Sequence, residues 1–445
     1  MLGWLKRKTQ FCGSVHFRGT LPPRAEEFKY LEERGIQLAP CPPPEGMLWG
    51  LRMAHPDWGE ATLLCPREPV TPPAEVVTRD YRLTQSEKEA ARAARSSVLV
   101  HSTGPRSQVL RDRKLALRFL DAVMGADGLF ACDHGAQRFW SPDALREELC
   151  HDADLDIDCL MSFHAVKEDD DSDKVGWLHS HGLAELGFFD FDILRPAEAL
   201  LGAWGNDLLR AIAYAIVEEQ ASLSTPCFEL ARPGGMVRFV EVSQFTRLAS
   251  PADVALRTPE SDQWHHDRRA VLCDPVRRFL GRWFQKARPS RFLSSVLSDG
   301  LVISFSKGAT ELMAERARGT YRLFQELVAE LAEFEFPALV KLGYPMDGGG
   351  GDGQEHLWFE VHECLAGHVD ATLVNTPIAV AGLQEGRRAL HPVEYLSDWV
   401  IMTPLGPINP RQTGVLRAIR EKRDLLRARM VLAQHREDGE FDEES

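Results

Sequence analysis

The chain has 445 residues, 44% hydrophobic and 27% charged, which suits a folded protein of roughly two to four domains at about 100–200 residues each. A formal net charge of −14 argues against a nucleic-acid partner, because phosphate backbones need clustered Lys and Arg and no basic stripe outweighs its acidic surroundings. No run of about 18 apolar residues occurs, so no membrane is expected to be spanned, and nine scattered cysteines without a C-x-x-C pair fit reduced thiols in a cytoplasm better than a disulfide framework or zinc ribbon.

The first residues, MLGWLKRKTQ, place their basic residues after the apolar ones and lack a following apolar stretch, so they do not read as a signal peptide. Residues 1–80 are rich in proline, which removes backbone donors; they read as a loop-rich region with strands near Met47–Met53 and Ala61–Leu64. TQSEKEAARAARSS starts a helix with Thr84 as its N-cap. Next, SSVLVHS and GLFACD read as strands, SQVLRDRKLALRFLDAVMGA as a helix, and SPDALREELC as a helix with Ser141 capping and Pro142 in the first position. That alternation suggests an α/β half.

Further on, LDIDCLMSFHAV, VGWLHSHGL and GFFDFDIL read as strands around an acidic turn at 167–174. The stretch from Arg195 to Gln220 reads as one long helix, and CFELARPGGMVRFVEV as a hairpin through Pro233-Gly234-Gly235. Residues 246–310 are punctuated by Pro251, Pro275 and Pro289. A helix over 309–334 leads to four strand-like runs, PALVKLGY, EHLWFEVHE, HVDATLVN and YLSDWVIM, then a charged helical tail from Arg411 that ends in a stretch expected to be disordered. The fold class expected is α+β, multidomain, with a small antiparallel β domain near the C-terminus, partly closed as a barrel. The expected divisions are 1–80, 81–310, 311–410 and 411–445.

MDGGGGDGQEHLWFEVHE carries five glycines between Gly348 and Gly353. A phosphate loop needs a helix N-terminus behind its glycines, whereas Leu357, Phe359 and Val361 alternate with His356, Trp358, Glu360 and His362 as in a strand. His356 and His362 would lie about 20 Å apart along that strand, too far to share an ion whose bonds are about 2 Å. Glu360 and His362 could share one but lack a third ligand. The run therefore reads as a hairpin tip.

This stretch, with Leu373-Val374-Asn375-Thr376-Pro377, Gly382-Leu383, Glu385-Gly386 and Ser397-Asp398-Trp399, resembles the YegJ-like bacterial domain of unknown function (number 2314). The resemblance covers about a sixth of the chain and implies a boundary but no chemistry. Upstream, GWLHSHGLAELGFFDFDIL resembles a signature of a second uncharacterised bacterial family (number 4026).

Residues of that upstream stretch make the best metal site. On a strand, His179 and His181 point to one face about 7 Å apart at Cα. Asp190 and Asp192 likewise share a face, and if the two strands pair, all four converge on a divalent metal acting on water, with Glu185 as a base. Solvated strand faces are the plain alternative. The segment His101–Gly104 could hold an anion after a strand, and Trp264–Asp267 reads as a surface turn. No nucleophile motif is present, the acidic turn lacks the spacing of a calcium loop, and no cofactor is specified.

Two functions follow. One is a cytoplasmic binding or regulatory protein without catalytic activity, with a protein partner and with Trp177, Trp358, Asn375 and Trp399 as binding residues. Its acidic surface would also suit a factor that neutralises a basic partner such as a toxin. The other is a divalent-metal-dependent hydrolase centred on His179 and His181.

Overall fold

A computed structural model describes residues 8–70, 77–78, 80, 83–105, 108–168, 174–201, 203–232, 235–257, 268–275, 286–295, 302–303, 305–347, 354–411 and 413–428. Two compact units emerge. The first comprises Met1–Pro72, Ala93–Pro142 and Leu155–Ala309, the second Pro73–Arg92, Asp143–Asp154 and Thr310–Ser445.

The first unit holds two seven-stranded sheets. One is built from β1 (Lys8–Phe17), β2 (Gln37–Cys41), β3 (Met47–His55), β4 (Gly59–Pro66), β5 (Ser96–Pro105), β6 (Gly128–Asp133) and β7 (Arg138–Trp140), in the order β2-β3-β4-β5-β1-β6-β7. The proline-rich start is therefore not loop-rich; four strands occur before residue 70 and their sheet continues past residue 80. Pro40 sits on the edge strand β2 and Pro66 ends β4, the kinds of position at which sheets accept a residue without an N–H. The helix Val109–Met124 joins β5 to β6 as expected, but β1 lies between them and is antiparallel to both. The α/β expectation fails here because the inserted strand comes from a segment some 80 residues earlier, which local periodicity does not register. Val15, Val98, Val100, Leu120 and Val123 are all fully buried between helix and sheet strands, each worth about 1.5–3 kcal/mol relative to exposure.

The second sheet holds β8 (Ser162–Lys167), β9 (Val175–His181), β10 (Asp190–Leu194), β11 (Phe228–Arg232), β12 (Gly235–Glu241), β13 (Arg269–Cys273) and β14 (Val302–Ile303), in the order β14-β11-β12-β13-β10-β9-β8. Only β10 and β13 pair in parallel among these described strands. The expected strand over 155–166 shortens to β8, because Ile157–Cys159 forms a 3-10 turn capped by the Asp156 carboxylate. The long helix expected after Arg195 divides into a 3-10 turn, Glu198–Leu201, and the helix Ala203–Val217.

In the second unit, the helix Gln85–Arg92 has the expected cap and a reciprocal bond besides. The Thr84 hydroxyl accepts from the Glu87 amide (3.3 Å), while the Glu87 carboxylate accepts from the Thr84 amide (2.7 Å). The helix expected over 309–334 breaks at Thr320 into Lys307–Gly319 and Tyr321–Glu330. There the Thr320 hydroxyl donates back to the Arg316 carbonyl and accepts from the Trp399 indole N–H (2.9 Å). The third sheet comprises β15 (Ala338–Pro345), β16 (Gln354–Leu365), β17 (His368–Leu373), β18 (Arg388–Pro392) and β19 (Leu396–Ile401), ordered β18-β17-β16-β15-β19 and antiparallel throughout. The four expected strands are present. The fifth strand, β18, falls in RRALHPVEYL, whose irregular alternation does not define a register, and its register is set by pairing with β17. The sheet stays open, with β18 and β19 as its two edges among the described residues, so the barrel expectation is corrected. Its buried face carries Val340, Leu342, Leu357, Phe359 and Trp399 against Phe324, Leu327, Leu416 and Ile419. The glycine run and the acidic tail lie outside the described residues.

Candidate functional site

Strand β9 is buried along nearly its whole length, so every side chain on it is committed to one environment or another. Trp177, His179 and His181 share one face by strand alternation, and Trp177 and His179 are in ring contact at 4.3 Å. Register then adds a residue that spacing along one strand does not reveal. His164 of β8 stands directly opposite His179, and its ring centroid lies 5.5 Å from that of His179 and 4.6 Å from that of His181. The His179 and His181 rings are 4.9 Å apart.

One ring nitrogen from each of the three histidines falls within 4.8 Å of the others. Zinc–nitrogen bonds of about 2.0–2.1 Å in a tetrahedron require nitrogens roughly 3.3 Å apart. The observed separations exceed that spacing by up to about 1.5 Å, so the rings would have to rotate inward to share one ion. His179 and His181 are buried and His164 is half-buried, so the cluster has one more open side.

Asp190 and Asp192 do not join this cluster. Asp192 lies opposite His179 in register, yet its carboxylate is held by Arg269 (Nε 3.1 Å, Nη2 2.5 Å) and Arg257 (Nε 2.9 Å). Asp190 accepts from the Ser180 hydroxyl (2.9 Å) and from the amides of Leu183 and Ala184, which pins the turn after β9. Burial pushes the Asp190 carboxyl up, against the pull of Arg269 and these hydrogen bonds. The convergence expected of two histidines and two carboxylates thus becomes three histidines, because arginines from β13 and residue 257 claim one aspartate and backbone amides the other. Glu185, expected as a base, lies 3.8 Å from Arg113.

A turn from the other sheet of the same unit reaches the cluster. The Gln137 side-chain amide lies 3.3 Å from His181 Nδ1. Gly182, immediately after His181, has φ +114°, and a Cβ there would collide with the Leu160 carbonyl oxygen and stand 3.2 Å from Ala136 Cα.

The remaining sequence candidates find other roles. Trp177 and Trp399 are 0% exposed and are core residues, not surface contacts; burial of so large an apolar ring outweighs any role at the surface. Trp358 is half-buried beneath the Lys341 ammonium, and its backbone N–H donates to Asn375 Oδ1 (2.6 Å), so these two candidates are neighbours. His356 bonds Ser397 (2.8 Å) and His362 bonds Thr372 (2.8 Å), as two separate pairs. His101–Gly104 continues strand β5 and so forms no anion loop. Trp264–Asp267 and most of the acidic turn lie outside the described residues. A Ser14–His16 pair at 2.6 Å was not foreseen. Both residues are wholly buried, and burial drives the His16 pKa down to about 3, so the pair is a neutral core contact and no accessible nucleophile.

No curated protein and no solved structure matches the chain. Residues 309–407, under a quarter of the chain, match a family described as an uncharacterized protein conserved in bacteria (DUF2314), and the histidine cluster lies outside that segment.

Proposed function

We propose that the protein binds one divalent transition-metal ion through His164, His179 and His181. The observation that carries this reading is the mutual approach of one nitrogen from each ring, within 4.8 Å, on two paired strands. Neutral imidazoles suit zinc, copper, nickel or iron rather than calcium or magnesium, which prefer oxygen. Three protein ligands leave a fourth position, and that supports the hydrolase alternative, since a bound metal would lower the pKa of water there. The commitment of Asp190 and Asp192 to arginines and amides weighs against their serving as ligands or bases in it.

The wider reading is a multidomain binding or regulatory protein with a protein partner, working in the cytoplasm and away from nucleic acid and membranes. The half-exposed Trp358 and exposed Asn375 are its proposed contact residues. The YegJ-like name for the C-terminal region, the kinship of the upstream stretch with family 4026, and the divisions at residues 80, 310 and 410 belong to the same proposal.

Metal analysis of protein purified without chelator, with cobalt(II) titration of the stripped form, tests the metal reading. We expect about one equivalent bound and visible d–d bands. His164→Ala should abolish both as fully as His179→Ala does. Absence of stoichiometric metal and of any cobalt spectrum in the wild type would sink the proposal.

A further inference from the structure

The three histidines belong to one sheet, yet a side chain within hydrogen-bond reach of His181 Nδ1 comes from the other. Gln137 sits in the turn between β6 and β7 with φ +49°, a left-handed backbone that a non-glycine residue adopts only where its surroundings impose it. The surroundings here are specific. The Asp133 carboxylate accepts from the amides of Gly135 (3.0 Å) and Ala136 (3.1 Å) and so winds the turn. Gly135 has no Cβ where the Glu185 carboxylate lies, and a Cβ on Gly182 would stand only 3.2 Å from Ala136 Cα. Arg138 is anchored to the Asp158 carbonyl. Each feature fixes the turn from a different side, and the residue they jointly place is Gln137, with its amide 3.3 Å from His181 Nδ1.

We infer that Gln137 is the positioning residue of the metal centre and selects the tautomer of His181. This rests on the metal reading above. A carboxamide can serve His181 in two ways. Its NH2 can donate to an unprotonated Nδ1, which leaves the proton on Nε2. Turned by half a revolution, its oxygen accepts from a protonated Nδ1–H, which leaves the Nε2 lone pair to the ion. Metal-ligating histidines commonly give their second N–H to such an oxygen, which fixes ring orientation and raises basicity. Gln137 can thus satisfy Nδ1 in the metal-free protein and, by flipping, in the loaded one. Leucine could do neither, and glutamate only the second.

The test compares wild type, Gln137→Leu and Gln137→Glu with zinc and cobalt(II) as probes, alongside nitrogen-15 NMR of the histidine rings in metal-free protein. We expect Q137L to weaken zinc by on the order of 10–100-fold, the range usual for loss of such an outer partner. Q137E should keep or tighten affinity, and the cobalt bands should shift in Q137L and recover in Q137E. In metal-free protein, the Nδ1 resonance of His181 should move in Q137L while those of His164 and His179 stay. Tighter zinc binding by Q137L would mean that the ion takes Nδ1 itself, and would overturn the assignment. Equal affinities and spectra in all three proteins would overturn it too. A wild type that takes up no metal, with the His181 resonance still dependent on Gln137, would sink the metal reading and leave only the hydrogen bond.

Discussion

Gly182 shows how closely the candidate site is tied to its backbone. It follows His181, holds φ +114°, and faces a main-chain carbonyl oxygen where a side chain would begin. A carbonyl cannot rotate away as a flexible side chain can. Gly182→Ala should therefore destabilise the first unit by at least about 1–3 kcal/mol through backbone strain alone, seen as a lower urea midpoint, and should lower metal uptake as His181 shifts. An unchanged midpoint would mean that the turn relaxes freely. At this scale the sequence was informative in proportion to locality. The two-residue spacing of His179 and His181 foretold that they share a face, because strand periodicity is a property of adjacent residues. His164 was hidden, since its place opposite His179 depends on the register of β8 against β9 across the acidic turn at 167–174. Asp190 and Asp192 have the same spacing as the histidines, but Arg257 and Arg269 are 65 and 77 residues downstream of Asp192, and nothing local announces them.

Elements in the second unit are joined by a buried ion pair. Arg316, on the helix Lys307–Gly319, meets Glu148 through two parallel bonds of 2.6 and 3.0 Å, with the side chains 1% and 8% exposed. Its guanidinium also donates to the carbonyls of Asp154 and Pro410. Removing either partner alone takes from a buried charge its bidentate partner, at a cost of about 3–5 kcal/mol. Arg316→Met and Glu148→Leu should each be severe, while the double variant should cost clearly less than their sum. Urea unfolding followed by exchange of the Trp399 indole proton, which is bonded to Thr320, would measure this cycle; simple additivity would contradict it. Elements with strong local signals were legible: the capped helix at Gln85, the strands β15, β16, β17 and β19, and the helix Val109–Met124. Those that failed did so for non-local reasons. The break at Thr320 exists because Trp399, far along the chain, offers its indole N–H there. β18 pairs with β17 despite a weak pattern of its own.

For the whole molecule, the notable fact is that the second unit is discontinuous, with pieces from 73–92, 143–154 and 310–445. The family match at 309–407 covers only part of it. Outside that match lie Glu148 and the core residues Leu416, Ile419 and Leu426. A fragment of residues 309–407 should accordingly be poorly folded, with collapsed amide dispersion and no cooperative urea transition, and extension to residue 428 should recover part of the loss. A dispersed spectrum and cooperative unfolding from 309–407 alone would refute this. That discontinuity also sets a schedule. The amides of Gln85 and Ser86 donate to the Glu421 carboxylate, across a separation of 336 residues for the first of them. At translation rates of about 5–20 residues per second, the ribosome makes the acceptor roughly 20–70 s after the donors. The earliest piece of the second unit must wait for Glu421 to be made before it meets that partner, so this contact is among the late events of the unit's folding.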